Sequence, residues 1–130
     1  MLEGGVPGLA GGYVFYDKGA YSDGWRYMEC APDNVGENVS WTIAKTLCDE
    51  YALNGYDDWD LPSIKELTLM YKNLHEKGMG NFVSTGSNVD RHWSSEETKD
   101  GQAYYFRFNS ETTSSAYKSD SHNARPVRKF

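Results

Sequence analysis

The chain has 130 residues, 38% of them hydrophobic and 25% charged, with a formal net charge of −6 and a pI near 5.0. That length suits one domain that buries roughly two-thirds of its unfolded surface and needs no staple or metal to fold. The acidic balance argues against nucleic acid, heparin-like polymers and anionic lipid, each of which needs a field of the opposite sign, and no apolar run approaches the roughly 18 residues that cross a bilayer.

Residues 1–10, MLEGGVPGLA, lack the basic and apolar regions of a signal peptide and read as a flexible lead or the remnant of a trimmed sequence. A single domain is expected over residues 11–130. Residues 12–17, GYVFYD, read as a strand, followed by a glycine-containing turn over 18–24. Residues 25–30, WRYMEC, alternate large apolar and polar positions and predict a second strand paired with the first. Residues 32–38 are rich in Pro, Asp, Asn and Gly and read as a loop.

Ser40 is placed to cap a helix with the apolar set Ile43, Ala44, Leu47, Cys48 and Tyr51, closed by Asn54-Gly55. Asn38-Val39-Ser40 matches a glycosylation sequon, but Ser40 already has a capping task. A clearer helix begins at Ser63. With Glu66, Ser63 forms a capping box, and Ile64, Leu67, Met70, Tyr71 and Leu74 form a core-facing stripe that ends before Gly78. Two amphipathic helices flanked by strands indicate α+β.

The last third is the unusual part. An aromatic alternation, Tyr104, Phe106 and Phe108, runs into about fifteen residues that are almost all polar, and the chain closes on a short strand-like segment, 124–130. Hairpin loops ordinarily run to about two to five residues, so the tract is too long for a turn alone and too polar for a core. It reads as the working surface. The one basic cluster, Arg125, Arg128 and Lys129, reads as solvent-facing strand residues.

Chemical motifs are sparse. The three histidines, His75, His92 and His122, stand in no metal-ligand spacing, and there is no C-x-x-C, nucleophile elbow or phosphate loop. Asp57, Asp58 and Asp60 are the best candidates for a hard cation such as Ca²⁺. The reading preferred for them is a solvated acidic turn ahead of a helix N-terminus. Cys30 and Cys48 either form a disulfide, contributing about 3 kcal/mol, or stay as two buried thiols. The sequence favours the thiols.

GGYVFYDKG, WRYMECAP, SWTIAKTLC, GYDDWDLPSIKEL, HWSSEE, AYYFRF and ARPVRKF follow one another in order. Together they resemble a bacterial domain family found at the C-terminus of collagen-like adhesins and in surface lipoproteins, which is similar to the C-type lectin fold. The resemblance implies two helices, a small antiparallel sheet with long irregular loops, and paired N- and C-terminal strands. It also implies ligand binding on the outer sheet face, mapping here to residues 91–98 and 105–123. Candidate contacts are Arg91, His92, Glu96, Tyr105, Arg107, Asn109, Thr112, Ser114, Tyr117, Ser119, Asp120, His122 and Asn123, with Trp93 as an anchor beneath. Alanine at Tyr105 or Tyr117 is expected to weaken binding with little loss of stability.

The chain departs from calcium-dependent lectins in lacking Glu-Pro-Asn, Gln-Pro-Asp and Trp-Asn-Asp, so calcium-mediated sugar recognition is not expected and no cofactor is assigned. Asp60 stands where the family has an Arg, and the final strand has no Cys to bridge to the first helix. The same fold serves the variable proteins of diversity-generating retroelements, whose adenine-directed mutation yields Asn, Ser, Thr, Asp, Tyr and His. That residue set dominates 104–123. A diversified, non-catalytic binding module is therefore expected, with a fixed-specificity adhesin or oligomerising cap as the alternative and a formylglycine-generating type of enzyme less favoured. The implied partner is a protein or glycan on another cell or surface, which places the domain outside the cell.

Overall fold

The computed structural model describes residues 10–79, 91–98 and 100–130. Strands β1 (Tyr13–Ser22), β2 (Trp25–Cys30) and β3 (Gly36–Val39) precede helices α1 (Trp41–Asp49) and α2 (Ile64–Asn73). After a 3₁₀ turn (His75–Lys77) come β4 (Arg91–Glu97), β5 (Gln102–Arg107), β6 (Thr112–Tyr117), β7 (His122–Ala124) and β8 (Val127–Lys129). The strands form a three-stranded sheet, β1-β2-β8, and a five-stranded sheet, β3-β7-β4-β5-β6. All described pairings between strands are antiparallel except β4 with β7, where His92 stands beside Asn123. The architecture is α+β, and the N-terminal hairpin and the closing strand share one sheet.

The first hairpin is longer than its sequence signal. β1 runs to Ser22, and the reversal is confined to Asp23 and Gly24, both at positive φ (54° and 86°). Positive φ at both central residues suits a two-residue hairpin loop. The two glycines of residues 18–24 suggest one long turn, but they do different things. Gly19 (φ 94°) lies where the register slips between Asp17 and Ser22, inside the strand rather than at its end. Elsewhere a glycine is required outright: a Cβ on Gly12 would sit 2.0 Å from the Cys30 carbonyl oxygen.

β8 joins the far edge of β2, and the chain end adds bonds from the Arg26 and Tyr27 N–H groups to the Phe130 carbonyl. This pairing buries Arg128, which donates to Glu29 (2.6 Å) and Asp58 (2.7 Å) and lies 4.4 Å from the Tyr56 ring centroid. Glu29, itself fully buried, also accepts from the Ala10 and Gly12 N–H groups. Arg125 is buried too, donating to Asn34 (2.7 Å) and the Ala31 carbonyl (3.0 Å). The expectation of a solvent-facing basic cluster therefore fails for two of its three members, and only Lys129 is exposed. Buried arginines are tolerated because acids and carbonyls distant in sequence meet them.

Both helix starts form as local chemistry predicts. The Ser40 hydroxyl accepts from the Ile43 N–H, and Ser63 and Glu66 complete both halves of the capping box (3.1 and 2.8 Å). The end of α1 differs from expectation. The helix stops at Asp49, and Asn54 and Gly55, both at positive φ, turn the small Leu53–Tyr56 bridge instead. The buried face of α1 is Trp41, Ala44 and Cys48, while Ile43 faces solvent. The α2 stripe behaves as core: Leu67, Met70 and Leu74 pack with Phe15, Met28 and Phe106.

Two loop assignments change in the second sheet. Part of the 32–38 loop is β3, a short edge strand pairing with β7. Its Gly-Glu-Asn-Val sequence carries no alternation to announce it. The polar tract contains β6, paired with β5 in unbroken register from Gln102–Tyr117 to Arg107–Thr112. Thr and Ser suffice there because β6 has one neighbour and leaves much of its surface to water.

Candidate ligand-binding face

Register places the site. Arg91, Arg107 and Thr112 lie in one row across β4, β5 and β6, and Trp93, Tyr105 and Ser114 lie in the next. Side chains alternate between faces along a strand, so these rows share a face, while Phe106 points into the α2 core. Helix α1 covers one end of the shared face through Trp41, Ala44 and Cys48, which pack with Trp93, Ala103 and Tyr105. The Trp93 indole donates to the Val39 carbonyl and the Trp41 indole to the Ser94 carbonyl, both at 2.8 Å. At the other end of that face Arg91 and Arg107 are half-buried.

Tyr105 is the hinge between covered and open ends. It is only 5% exposed. Its ring meets Trp93 edge-on at 6.4 Å and His122 at 4.5 Å, and the guanidinium carbons of Arg91 and Arg107 stand 5.3 and 5.8 Å from its centroid. Its hydroxyl accepts from Arg107 at 3.2 Å. Burial pushes the Tyr105 pKa up, but hydrogen bonds with Arg107 and Ser114 and the two guanidinium charges outweigh it, and the net shift is downward. Beside the ring opens a hollow of about 500 Å³, bordered by Arg91, Gln102, Tyr117, Asp120 and His122.

Of the residues singled out in the sequence, Arg91, Tyr105, Tyr117, Asp120 and His122 meet at this hollow. Arg107, Thr112 and Ser114 adjoin it by register, and Ser119 sits on the exposed turn before Asp120. Asn109 is exposed on the β5–β6 turn, and Glu96 is exposed at the opposite end of β4 from Arg91. His92 and Asn123 are not surface residues. Both lie on the interior strands β4 and β7, and His92 is fully buried against Phe108. Its Nε2 stands 3.2 Å from Asn34 Oδ1, which also accepts from Arg125, so Nε2 carries the proton.

Burial also changes the role of Tyr105, from contact surface to core. Trp93 is the expected anchor, wholly enclosed. Gln102 and Ser121 border the hollow but were not singled out. Gln102 is signalled only by its register opposite Tyr117.

The acidic turn is divided among separate tasks. Asp58 is bonded to Arg128, which holds its carboxyl below the usual range. Asp60 bridges Val127 through its backbone, and burial, then Asp49, pushes its carboxyl up. Among the described residues, no three His, Cys, Asp or Glu side chains form a group that could hold a metal. Cys30 and Cys48 are free and buried in different core clusters. Burial pushes the Cys30 thiol up to about 11 and raises that of Cys48 as well.

Two helices bracing a small, mostly antiparallel sheet, with a polar hairpin at its edge, define a C-type-lectin-like module. The chain matches the family model described as the Lcl C-terminal domain over residues 22–128, and it belongs to that family. Comparison with curated proteins gave no match.

Proposed function

We infer that this domain is a non-catalytic ligand-binding module, and that its working surface is the open end of the β4–β5–β6 face with the hollow beside Tyr105. The observation that carries this reading is convergence. Residues from β4, β5, β6 and the turn before β7 border one hollow, and the polar tract supplies its rim. Tyr117, 62% exposed, supplies a rigid ring at low entropic cost, and Ser115, Asp120 and Gln102 supply adaptable hydrogen bonds. The two cysteines are the nucleophiles a formylglycine-generating type of enzyme would use, and burial holds both as protonated thiols.

The natural ligand is a protein or glycan displayed on another cell or surface, met by a domain that works outside the cell. The test is binding of the wild-type chain and of a Tyr117→Ala/Asp120→Ala variant to protein and glycan arrays. Ligands lost by the variant support the assignment, and ligands retained at full strength move the binding surface elsewhere.

Diversification by a retroelement is favoured by the composition of 104–123, in which positions 109–115 are all Asn, Ser, Glu or Thr, and all exposed apart from the half-buried Ser114. A nearby near-copy of the coding segment for residues 93–130, differing at adenines, would establish it. A locus without such a copy would leave a fixed-specificity adhesin.

A further inference from the structure

Among the described residues the two sheets end on four strands, β1, β8, β3 and β6. An open strand edge is a template for pairing with another chain, and proteins ordinarily blunt it with bulges, charges or brevity. Three of these edges are blunted. β1 slips twice in register. β8 is three residues long, carries Lys129, and has Asp60 bridged to its outer side. β3 has four residues, a register slip and an exposed Glu37. β6 differs: it runs six residues, Thr-Thr-Ser-Ser-Ala-Tyr, without a slip, a proline or a charge.

The ladder fixes which backbone groups of β6 are committed. The Tyr104 carbonyl accepts from the Ser94 hydroxyl and the Gln102 carbonyl from the Thr98 N–H, so these residues of β5 turn toward β4. Bonded and non-bonded pairs alternate along an antiparallel ladder, so Ala103, Tyr105 and Arg107 bond to Ala116, Ser114 and Thr112. The Lys118 N–H, donating to the Gly101 carbonyl, continues the same phase. Thr113, Ser115 and Tyr117 therefore direct their N–H and C=O groups to the outer side. Among the described residues the one backbone partner there is the Asp120 N–H, at the Tyr117 carbonyl (2.9 Å).

We propose that β6 receives an extended segment of a protein partner as an added strand, whose side chains reach the hollow beside it. This rests on the binding-face reading above and narrows its ligand from protein or glycan to protein. A row of donors and acceptors repeating roughly every 7 Å is what another polypeptide backbone matches. The hollow adjoins this edge, since Ser115, Ala116 and Tyr117 border it, and the exposed Tyr117 ring offers the segment a rigid contact. A net charge of −6 on each chain opposes pairing of β6 with a second copy.

The probes are peptides selected from a random-peptide phage library on the whole wild-type chain, then synthesised and titrated by NMR against ¹⁵N-labelled protein. The expected result is saturable binding that moves the Thr113, Ser115 and Tyr117 amides and gives cross-strand NOEs between β6 and the peptide. Thr113→Pro removes one outward donor and no bond to β5, and Thr113 does not border the hollow. Proline is tolerated on an edge strand where the N–H faces solvent. The variant should weaken the peptides about tenfold or more, through the lost hydrogen bond and the intruding ring. N-methylation of alternate peptide residues should abolish binding in one phase and spare it in the other, a readout that stands even where Thr113→Pro fails to fold. Equal binding in both phases, or full binding by a folded Thr113→Pro, overturns the proposal, and so does a library that yields no peptide. A concentration-dependent dimer in sedimentation that Thr113→Pro dissolves makes the occupant a second copy and overturns the assignment to a partner. If the peptides weaken with Tyr117→Ala/Asp120→Ala yet ignore Thr113→Pro, the edge fails and the binding face stands. Peptides indifferent to both variants remove the binding-face reading as well.

Discussion

Arg128 and Arg91 show two uses of the same side chain. Arg128 is buried between two sheet strands and a loop, with carboxylates at 2.6 and 2.7 Å and aromatic rings around it. Every element it touches, the N-terminal lead-in at Gly12 through Glu29, β2, and the 58–60 turn, is fixed by that network. Arg91 sits at the open end of the other sheet, supported by one aromatic face and opposed by another guanidinium. The first arrangement is closed, with its donors spent on the protein. In the second, Arg91 is half-buried and forms no ion pair among the described residues. A buried charge whose partner is removed costs several kcal/mol, whereas a half-buried one beside water costs little to lose, so the two sites should separate cleanly on mutation.

The sharpest way to break the comparison is Arg128→Met. It strands Glu29 in the core, and stability to urea should fall by about 3–5 kcal/mol. A loss below about 1 kcal/mol would mean that the network is dispensable. Tyr105→Ala should cost about 3 kcal/mol by opening a cavity between Trp93 and His122. Tyr105→Phe should cost only about 1 kcal/mol for the lost hydrogen bond, and the pair of values read by thermal unfolding separates ring from hydroxyl. Ser63→Ala, which removes half of the capping box, should cost about 1 kcal/mol in the same assay.

Asp58 adds a pH signature to the Arg128 side. Its folded pKa lies below the ordinary 3.8, so its contribution is full above that value and is lost as pH falls through the folded pKa. Asp58→Asn should therefore reduce the acid-driven loss of stability in denaturation curves below about pH 4. An unchanged slope would detach Asp58 from the network. The smallest effect is expected at Arg91→Gln, within about 0.5 kcal/mol of wild type. A large loss there would make Arg91 a structural residue and erase the contrast.

Much of the fold was legible where the physics is local. Ser63 and Glu66 satisfy each other's backbone within one turn, so four residues suffice to start α2. The stripe of Leu67, Met70 and Leu74 carries its period in the chain. The site was legible in outline, since the polar tract pointed to the right end of the molecule and supplied Tyr117 and Asp120. Its interior was not. His92 and Asn123 look like surface residues in a polar context, yet they sit on strands with neighbours on both sides. Gln102 gave no sign until β5 was laid against β6.

The sequence by itself determined the class: α+β, two helices begun by their caps, an acidic surface, and a polar C-terminal tract that cannot be core. Only the tertiary structure decided which charges are closed and which are open. Arg128 meets Glu29 across 99 residues and Asp58 across 70, and Arg91 meets Arg107 through strand register. No local pattern encodes those meetings, because they depend on which strands lie side by side once the core has formed.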